Sequence, residues 1–125
     1  MRVGQPKDIF MPHANIQYSQ LKPEKRLWVI THCYGPLFDL VERAGYTIAF
    51  EASGKTIDVI AEDAPEVMAK LKMLTQKGQI EPVASPYIHF MLSNVPQELC
   101  LDSLQRSLDA WEHHTGKRPK IGWNP

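Results

Sequence analysis

The segment "YTIAFEASGKTIDVIAEDAPEVMAKLKMLTQKGQIEPVASPYIHFML", residues 46–92, decides the fold of this chain. It opens with a β-rich run that ends at Glu51 and Ser53, where Gly54 breaks it. Helical sequence follows, and a second apolar run of strand length occupies residues 79–84. A strand, helical sequence and another strand in succession are typical of a βαβ unit, whose two strands lie parallel.

The helix between these two strands has the clearest signals in the chain. Pro65 marks its first turn, and Val67, Leu71 and Leu74 form an apolar stripe at helical spacing. Gly78 supplies the stop. A shorter helix is predicted just before it, over residues 55–64.

The same alternation extends toward both ends of the chain. Residues 8–14, "DIFMPHA", predict a short strand that stops at His13. One helix is predicted to end before Gly45, and another, near the carboxyl end of the chain, is predicted to run from a capping box to Gly116. Residues 120–123, "KIGW", begin a fourth strand. The apolar stripe of the helix before Gly45 is Leu37, Leu40, Val41 and Ala44. The helix that ends at Gly116 has a capping box at Asn94 and Gln97 and an apolar stripe of Leu101, Leu104, Leu108 and Trp111.

This order of elements predicts an α/β fold, a partial β/α barrel of about four parallel strands alternating with helices. With 125 residues, 43% hydrophobic and 22% charged, the chain has the size and composition of one globular domain over residues 1–125. Cys33 and Cys100 match no metal spacing, and we expect both to be reduced thiols in or near the core.

The charge balance excludes some classes of partner. The chain has 14 basic and 14 acidic residues and a pI near 7, so it lacks the basic excess of a nucleic-acid or anionic-membrane surface. Uncharged sugars are compatible with this balance. The sequence contains neither a secretory signal pattern nor an apolar run of membrane-spanning length, so we expect a cytoplasmic protein.

Four polar or aromatic residues fall at or near the ends of the predicted strands: His13, Glu51, Glu81 and Trp123. In parallel sheets and barrels, substrates bind at the carboxyl ends of the strands. We therefore expect Glu81 at the mouth of its strand, within reach of His13. This interpretation explains why an acid and a proline, Pro82, interrupt an apolar run.

Each of these residues also has a structural interpretation. A histidine after a strand is often hydrogen-bonded in a purely structural role. Glu81 and Glu51 are each equally compatible with an ordinary acid, either exposed at a sheet edge or paired with a lysine or arginine. His113 and His114 lie at a predicted helix end, where an imidazolium interacts favourably with the helix dipole.

Three blocks of the sequence resemble one family. Residues 11–19, "MPHANIQYS", residues 46–92, and residues 113–125, "HHTGKRPKIGWNP", resemble the N-terminal part of the catalytic domain of glycoside hydrolase family 57. This family contains α-glucan-active amylases, glucanotransferases, branching enzymes and amylopullulanases. His13 stands at the family's opening histidine, where the family commonly reads His-Gln-Pro and this chain reads His-Ala-Asn.

The other two motifs are closer to the family pattern. Gly78, Gln79 and Glu81 match its Gly-Gln-x-Glu motif, with a downstream histidine at His89. Trp123 falls in the register of a third motif, Gly-x-Trp-x-x-Glu. In the family that motif closes on the nucleophile of a retaining mechanism, and the general acid lies on a later strand.

The resemblance implies a retaining α-glycosidase or α-glucanotransferase on a seven-stranded β/α barrel, of which these residues form the first four strands. The nucleophile would come just after Pro125, so no catalytic residue is expected within the chain and the chain alone is expected to be inactive. The expected partner is an α-glucan or oligosaccharide, and no metal or organic cofactor is implied. The expected substrate-binding residues are His13, Glu81, Trp123, Glu51 and His89.

Two other functions remain open at this point. A stand-alone sugar-binding or interaction module would need no nucleophile, although the open edges of a partial barrel favour self-association. A metal-dependent polysaccharide deacetylase needs an aspartate and two histidines, the latter at short helical spacing. Among the five histidines of this chain, no two are three or four residues apart.

Overall fold

A computed structural model of the protein describes residues 8–17 and 20–125. Four strands form one parallel sheet in the order β1-β2-β3-β4, which confirms the predicted α/β fold. The strands are β1, His13–Ala14; β2, Ile48–Ser53; β3, Ile80–Ser85; and β4, Ile121–Gly122.

Helices connect each strand to the next. Between β1 and β2 a single helical segment contains a π-helical turn, and two helices separate β2 from β3. The helical elements are a 3-10 turn, Pro23–Lys25; α1, Arg26–Val29; the π-helical turn, Ile30–Tyr34; α2, Gly35–Ala44; α3, Gly54–Asp63; α4, Pro65–Gln76; a 3-10 turn, Leu92–Asn94; and α5, Gln97–Thr115. No helix in these described ranges has the length and apolarity that a membrane crossing requires.

The hydrophobic core lies between the sheet and the helices. Phe50, on β2, packs edge-on against Phe38 of α2, with ring centroids 5.1 Å apart, and against Trp111 of α5, at 6.4 Å. Trp111 is fully buried and donates its indole N–H to the carbonyl of Ala52 at 3.2 Å. Because side chains alternate across a strand, Glu51 points to the sheet face away from these helices.

The predicted stripe of α2 is confirmed only in part: Val41 is buried and Leu37 packs against the core. Phe38 joins them on the buried face, whereas Leu40 and Ala44 are exposed, because the side of α2 that carries Leu37, Phe38 and Val41 is the one that contacts the core. In α5, the predicted capping box is wrong: Pro96 precedes the first residue of the helix, and Asn94 lies in the 3-10 turn. Leu101 of the same predicted stripe is exposed.

One of the two thiols also differs from its predicted place. Cys100 is partly buried, but Cys33 is exposed on the outer side of the π-helical turn. The expectation of a thiol in or near the core is therefore wrong for Cys33. An extra residue in a π-helical turn shifts the helical period, so spacing alone does not indicate which side chains face inward there.

Pro82 lies in the middle of β3 without breaking it. The carbonyl of Gln79 accepts a hydrogen bond from the N–H of Ile48, so Gln79 faces β2. The carbonyl of Ala84 accepts one from the N–H of Trp123, so Ala84 faces β4. Backbone groups alternate along a strand, so the nitrogen of Pro82 faces the β4 side, where pairing begins one residue later, at Val83 and Ile121. No ladder bond is lost, so β3 accommodates the proline in its interior.

Gly54 allows α3 and α5 to meet closely. It follows the last residue of β2, and a Cβ at this position would lie 2.7 Å from the Cα of Ser107 and 2.6 Å from the ring of Tyr87. Both distances are shorter than real Cβ contacts, so only glycine fits. This close approach holds α5 against the carboxyl end of β2.

Candidate functional site

The carboxyl ends of the first three strands converge on Glu51. The sheet register places His13 of β1 beside Glu51 of β2, and Glu51 beside Val83 of β3. The side chain of Glu51 is completely buried. A buried carboxylate needs partners that compensate for its lost hydration, and the neighbouring residues provide them.

Two histidines bind the carboxylate of Glu51, one at each oxygen. Nδ1 of His13 lies 2.9 Å from Oε2, and Nε2 of His89 lies 3.1 Å from Oε1. The same nitrogen of His89 lies 2.8 Å from Oγ of Ser85, the last residue of β3. We call Glu51 and these two histidines the Glu51 cluster.

Hydrogen bonds within the cluster keep Glu51 ionised. Burial raises the pKa of Glu51, but hydrogen bonds from His89, Ser85 and His13 outweigh burial, so the pKa lies below its ordinary value of 4.5. Glu51 is therefore a carboxylate at neutral pH. Its oxygens act only as hydrogen-bond acceptors.

Trp123 lies beside the outer face of His13. The two ring centroids are 4.9 Å apart with the planes tilted by 54°. The backbone N–H of Trp123 donates to the carbonyl of Ala84 at 2.7 Å, which fixes the residue directly after β4. Trp123 is 43% exposed and the His13 side chain 45%, so the two rings form an accessible surface, the His13–Trp123 face, with buried Glu51 beneath it.

Glu81 lies elsewhere. It is the second residue of β3 and pairs in register with Ala49, two positions before the row of His13, Glu51 and Val83. Its carboxylate is 3.6 Å from Nζ of Lys117. The expectation that Glu81 stands at the carboxyl end of its strand is wrong, because β3 continues through four further residues. A role for Glu81 in substrate binding remains a prediction without support from its position.

Four of the five predicted binding residues are thus brought together: His13, Glu51, His89 and Trp123. Their binding of a substrate remains a prediction. Ser85, which the prediction missed, is also part of the site, and its position at a strand end was the available signal.

Tyr34 of the π-helical turn is a core residue near the site, and its ring packs edge-on against Phe50 with centroids 6.0 Å apart. Its pKa is raised, first by burial and further by the nearby groups of Cys33 and Glu51. No spacing in the sequence connects this helical residue to the strand that carries Glu51, so no sequence signal was available for it.

A second histidine–carboxylate pair lies between α3 and α5. Nε2 of His114 is 2.8 Å from Oδ1 of Asp58, and the hydroxyl of Tyr87 donates to Oδ2 at 2.6 Å. This hydrogen bond, with burial adding to it, raises the pKa of Tyr87 to about 12. The pair joins two helices, consistent with a structural role. Within residues 8–17 and 20–125, no three His, Cys, Asp or Glu side chains are grouped so that they could hold a metal ion.

The sequence profile of glycosyl hydrolase family 57 matches residues 2–125. The chain belongs to this family. The match covers nearly every residue and confirms the resemblance seen in the motifs.

Individual relatives of the family 57 chain are distant. An α-amylase from Pyrococcus furiosus is 26% identical over 92 residues, which are 73% of this chain and 14% of the amylase. The crystal structure of a 4-α-glucanotransferase from Thermococcus litoralis superposes with a TM-score of 0.70 at 22% identity, over 90% of this chain and 18% of that one. The chain therefore spans less than a fifth of either relative.

A candidate polysaccharide deacetylase from Mycobacterium smegmatis has the same fold. Its TM-score is 0.57 at 20% identity, over 94% of this chain and 44% of that chain. At this identity the likeness concerns the fold alone and carries no metal-dependent chemistry to this family 57 chain.

Proposed function

We propose that this chain supplies sugar-binding residues to a retaining α-glycosidase or α-glucanotransferase that acts on α-glucans. Membership of family 57 supports the substrate class. The observation that carries the proposal is the His13–Trp123 face, an indole and an imidazole in contact at the carboxyl end of a parallel sheet.

The chemistry of this face suits a sugar. The indole of Trp123 offers a flat apolar surface to the C–H face of a pyranose ring, and the exposed edge of His13 offers a nitrogen to a hydroxyl group. An uncharged ligand requires no strong field, which agrees with the neutral charge balance of the chain.

Glu51 is a poor nucleophile in this arrangement. A retaining glycosidase needs two carboxyl groups about 5 Å apart, one of which attacks the sugar. Both oxygens of Glu51 are already bound to histidines, and the side chain is buried. In this proposal the nucleophile follows Pro125 and the general acid lies further along the complete polypeptide.

Titration with maltoheptaose tests the binding role. We expect Trp123→Ala to weaken maltoheptaose binding about tenfold, the typical effect of truncating a central aromatic contact. Trp28→Ala is the matched control, because Trp28 is also exposed, at 55%, but belongs to α1. Isothermal calorimetry on both variants measures the effect, and equal affinities for the two would contradict the proposal.

Two functional alternatives are separated by other observations. The coding sequence beyond codon 125 distinguishes the enzyme from a stand-alone sugar-binding or interaction module. A glutamate codon followed by further strand and helix sequence supports the enzyme. An immediate stop codon supports the module. We do not propose the deacetylase, because the histidines of the site bind a carboxylate instead of converging with an aspartate.

A further inference from the structure

We propose that Glu51 is a positioning residue: it places the ring proton of His13 on Nδ1, so that Nε2 faces the sugar as a hydrogen-bond acceptor. This inference rests on the proposed function for the identity of the ligand, but not for the proton arrangement. It replaces the expectation that Glu51 contacts the substrate itself.

The burial of Glu51 excludes direct contact with a ligand. None of its side chain is exposed, and each carboxylate oxygen is within hydrogen-bond distance of an imidazole nitrogen. A sugar could reach the carboxylate only by displacing His13 or His89. The residue therefore acts through the histidines.

The carboxylate determines which nitrogen of His13 carries the proton. A carboxylate only accepts hydrogen bonds, so Nδ1 of His13, 2.9 Å away, must be the donor. In a neutral imidazole the other nitrogen then has a free lone pair. That nitrogen, Nε2, belongs to the half-exposed side chain beside Trp123. The site is therefore selective for a ligand that donates a hydroxyl proton at this point.

The same carboxylate orients His89. Its Nε2 donates to Oε1 of Glu51 and lies beside Ser85, which leaves Nδ1 as its lone pair. His13 belongs to β1 and His89 follows β3, so one anion on the central β2 fixes the rings of both neighbours. Each histidine depends on Glu51 for its orientation.

Glu51→Gln provides a sharp test. The glutamine amide has one acceptor oxygen and one donor NH₂ group, so it can accept from only one of the two histidines. The other histidine must accept from the NH₂ group, and its proton must move to its opposite nitrogen. Long-range ¹H–¹⁵N spectra at a pH where the imidazoles are neutral identify the protonated nitrogen of each ring.

We expect His13 of the unmodified protein to carry its proton on Nδ1, and one histidine of the cluster to switch in Glu51→Gln. If His13 is the ring that switches, maltoheptaose binding should weaken about tenfold, as for the loss of one oriented hydrogen bond; if His89 switches, the proton of His13 stays on Nδ1 and binding should be retained. Asp58→Asn is the matched control, because it changes the other carboxylate–histidine pair: it should alter the His114 signals and leave His13, His89 and maltoheptaose binding unchanged.

The outcomes separate this inference from the proposed function. A proton on Nε2 of His13 in the unmodified protein overturns the inference, and that measurement needs no variant to fold. Unchanged protonation of both rings in a folded Glu51→Gln variant overturns it as well. If the expected protonation is found but the unmodified protein does not bind maltoheptaose, the proposed function fails and the positioning role of Glu51 is supported.

Discussion

Glu51 and Glu81 are acids on neighbouring strands with opposite surroundings. Glu51 is buried and bound by two imidazoles, whereas the side chain of Glu81 is 40% exposed and lies 3.6 Å from Lys117. Removing a buried acceptor leaves its hydrogen-bond donors unsatisfied and destabilises a fold, whereas a surface ion pair contributes little. The two acids should therefore respond differently to the same substitution.

We expect Glu51→Ala to lower the free energy of unfolding by about 1–3 kcal/mol, because two imidazole donors lose their acceptor, and Glu81→Ala to change it by less than about 1 kcal/mol. Urea denaturation of both variants at pH 7 measures the difference. Because the pKa of Glu51 is lowered by folding, its contribution is present above its ordinary value of 4.5 and is lost as the pH falls through the lower folded value. Equal losses for the two variants at pH 7 would contradict the assignment.

The sequence alone could not separate these two acids. Each occurs in an apolar run of strand length, and the partner of Glu81, Lys117, lies 36 positions along the chain. The strand positions were predictable because alternation and glycine breaks are local signals. Glu81 lies near the amino end of the predicted run, residues 79–84, and is the second residue of β3, but the interruption at Pro82 was interpreted as the mouth of the strand.

Among the elements, α3 and α5 depend on a single glycine for their contact. Gly54 begins α3, and a Cβ on it would lie only 2.7 Å from the Cα of Ser107 in α5. The sequence predicted the break at Gly54 but not the close approach, which involves a residue more than fifty positions away. Helix boundaries are encoded locally, whereas helix contacts are not.

Gly54→Ala should lower the midpoint of thermal unfolding, because the neighbouring backbone in α5 must move. Gly35→Ala is the control: Gly35 is also the first residue of a helical element, where α2 continues from the π-helical turn, but a Cβ on it would lie at ordinary contact distances of 3.5 and 3.6 Å from its neighbours. Alanine favours a helix over glycine by about 1 kcal/mol, so the control should be neutral or stabilised. Calorimetry measures the midpoint of thermal unfolding of both variants. A Gly54→Ala variant as stable as the control would show that the contact between α3 and α5 does not require glycine.

For the whole molecule, the outer strands of the sheet are the weak point. In the part of the chain that the structure describes, β1 and β4 each pair with one neighbour only. Unpaired strand edges favour association with another chain, particularly when apolar side chains are exposed beside them. Ile121 of β4 is 49% exposed at such an edge.

We therefore predict that the protein self-associates at high concentration and that Ile121→Lys reduces the association, because a charge at an edge opposes strand pairing. Leu101→Lys is the control, since Leu101 is 58% exposed but lies on α5, away from the edges. Sedimentation velocity measures the mass distribution. An equal reduction by both variants would indicate association through general hydrophobicity instead of the strand edge.

Pro82 also limits how β4 can slide along β3. A shift of one residue would turn the side chains of β4 to the opposite face of the sheet, and Trp123 would leave His13. A longer shift toward the amino end would bring β4 opposite a residue that has no N–H to donate. A proline in β3 thus disfavours pairings of β4 that are shifted toward the amino end and helps to keep the indole beside the imidazole.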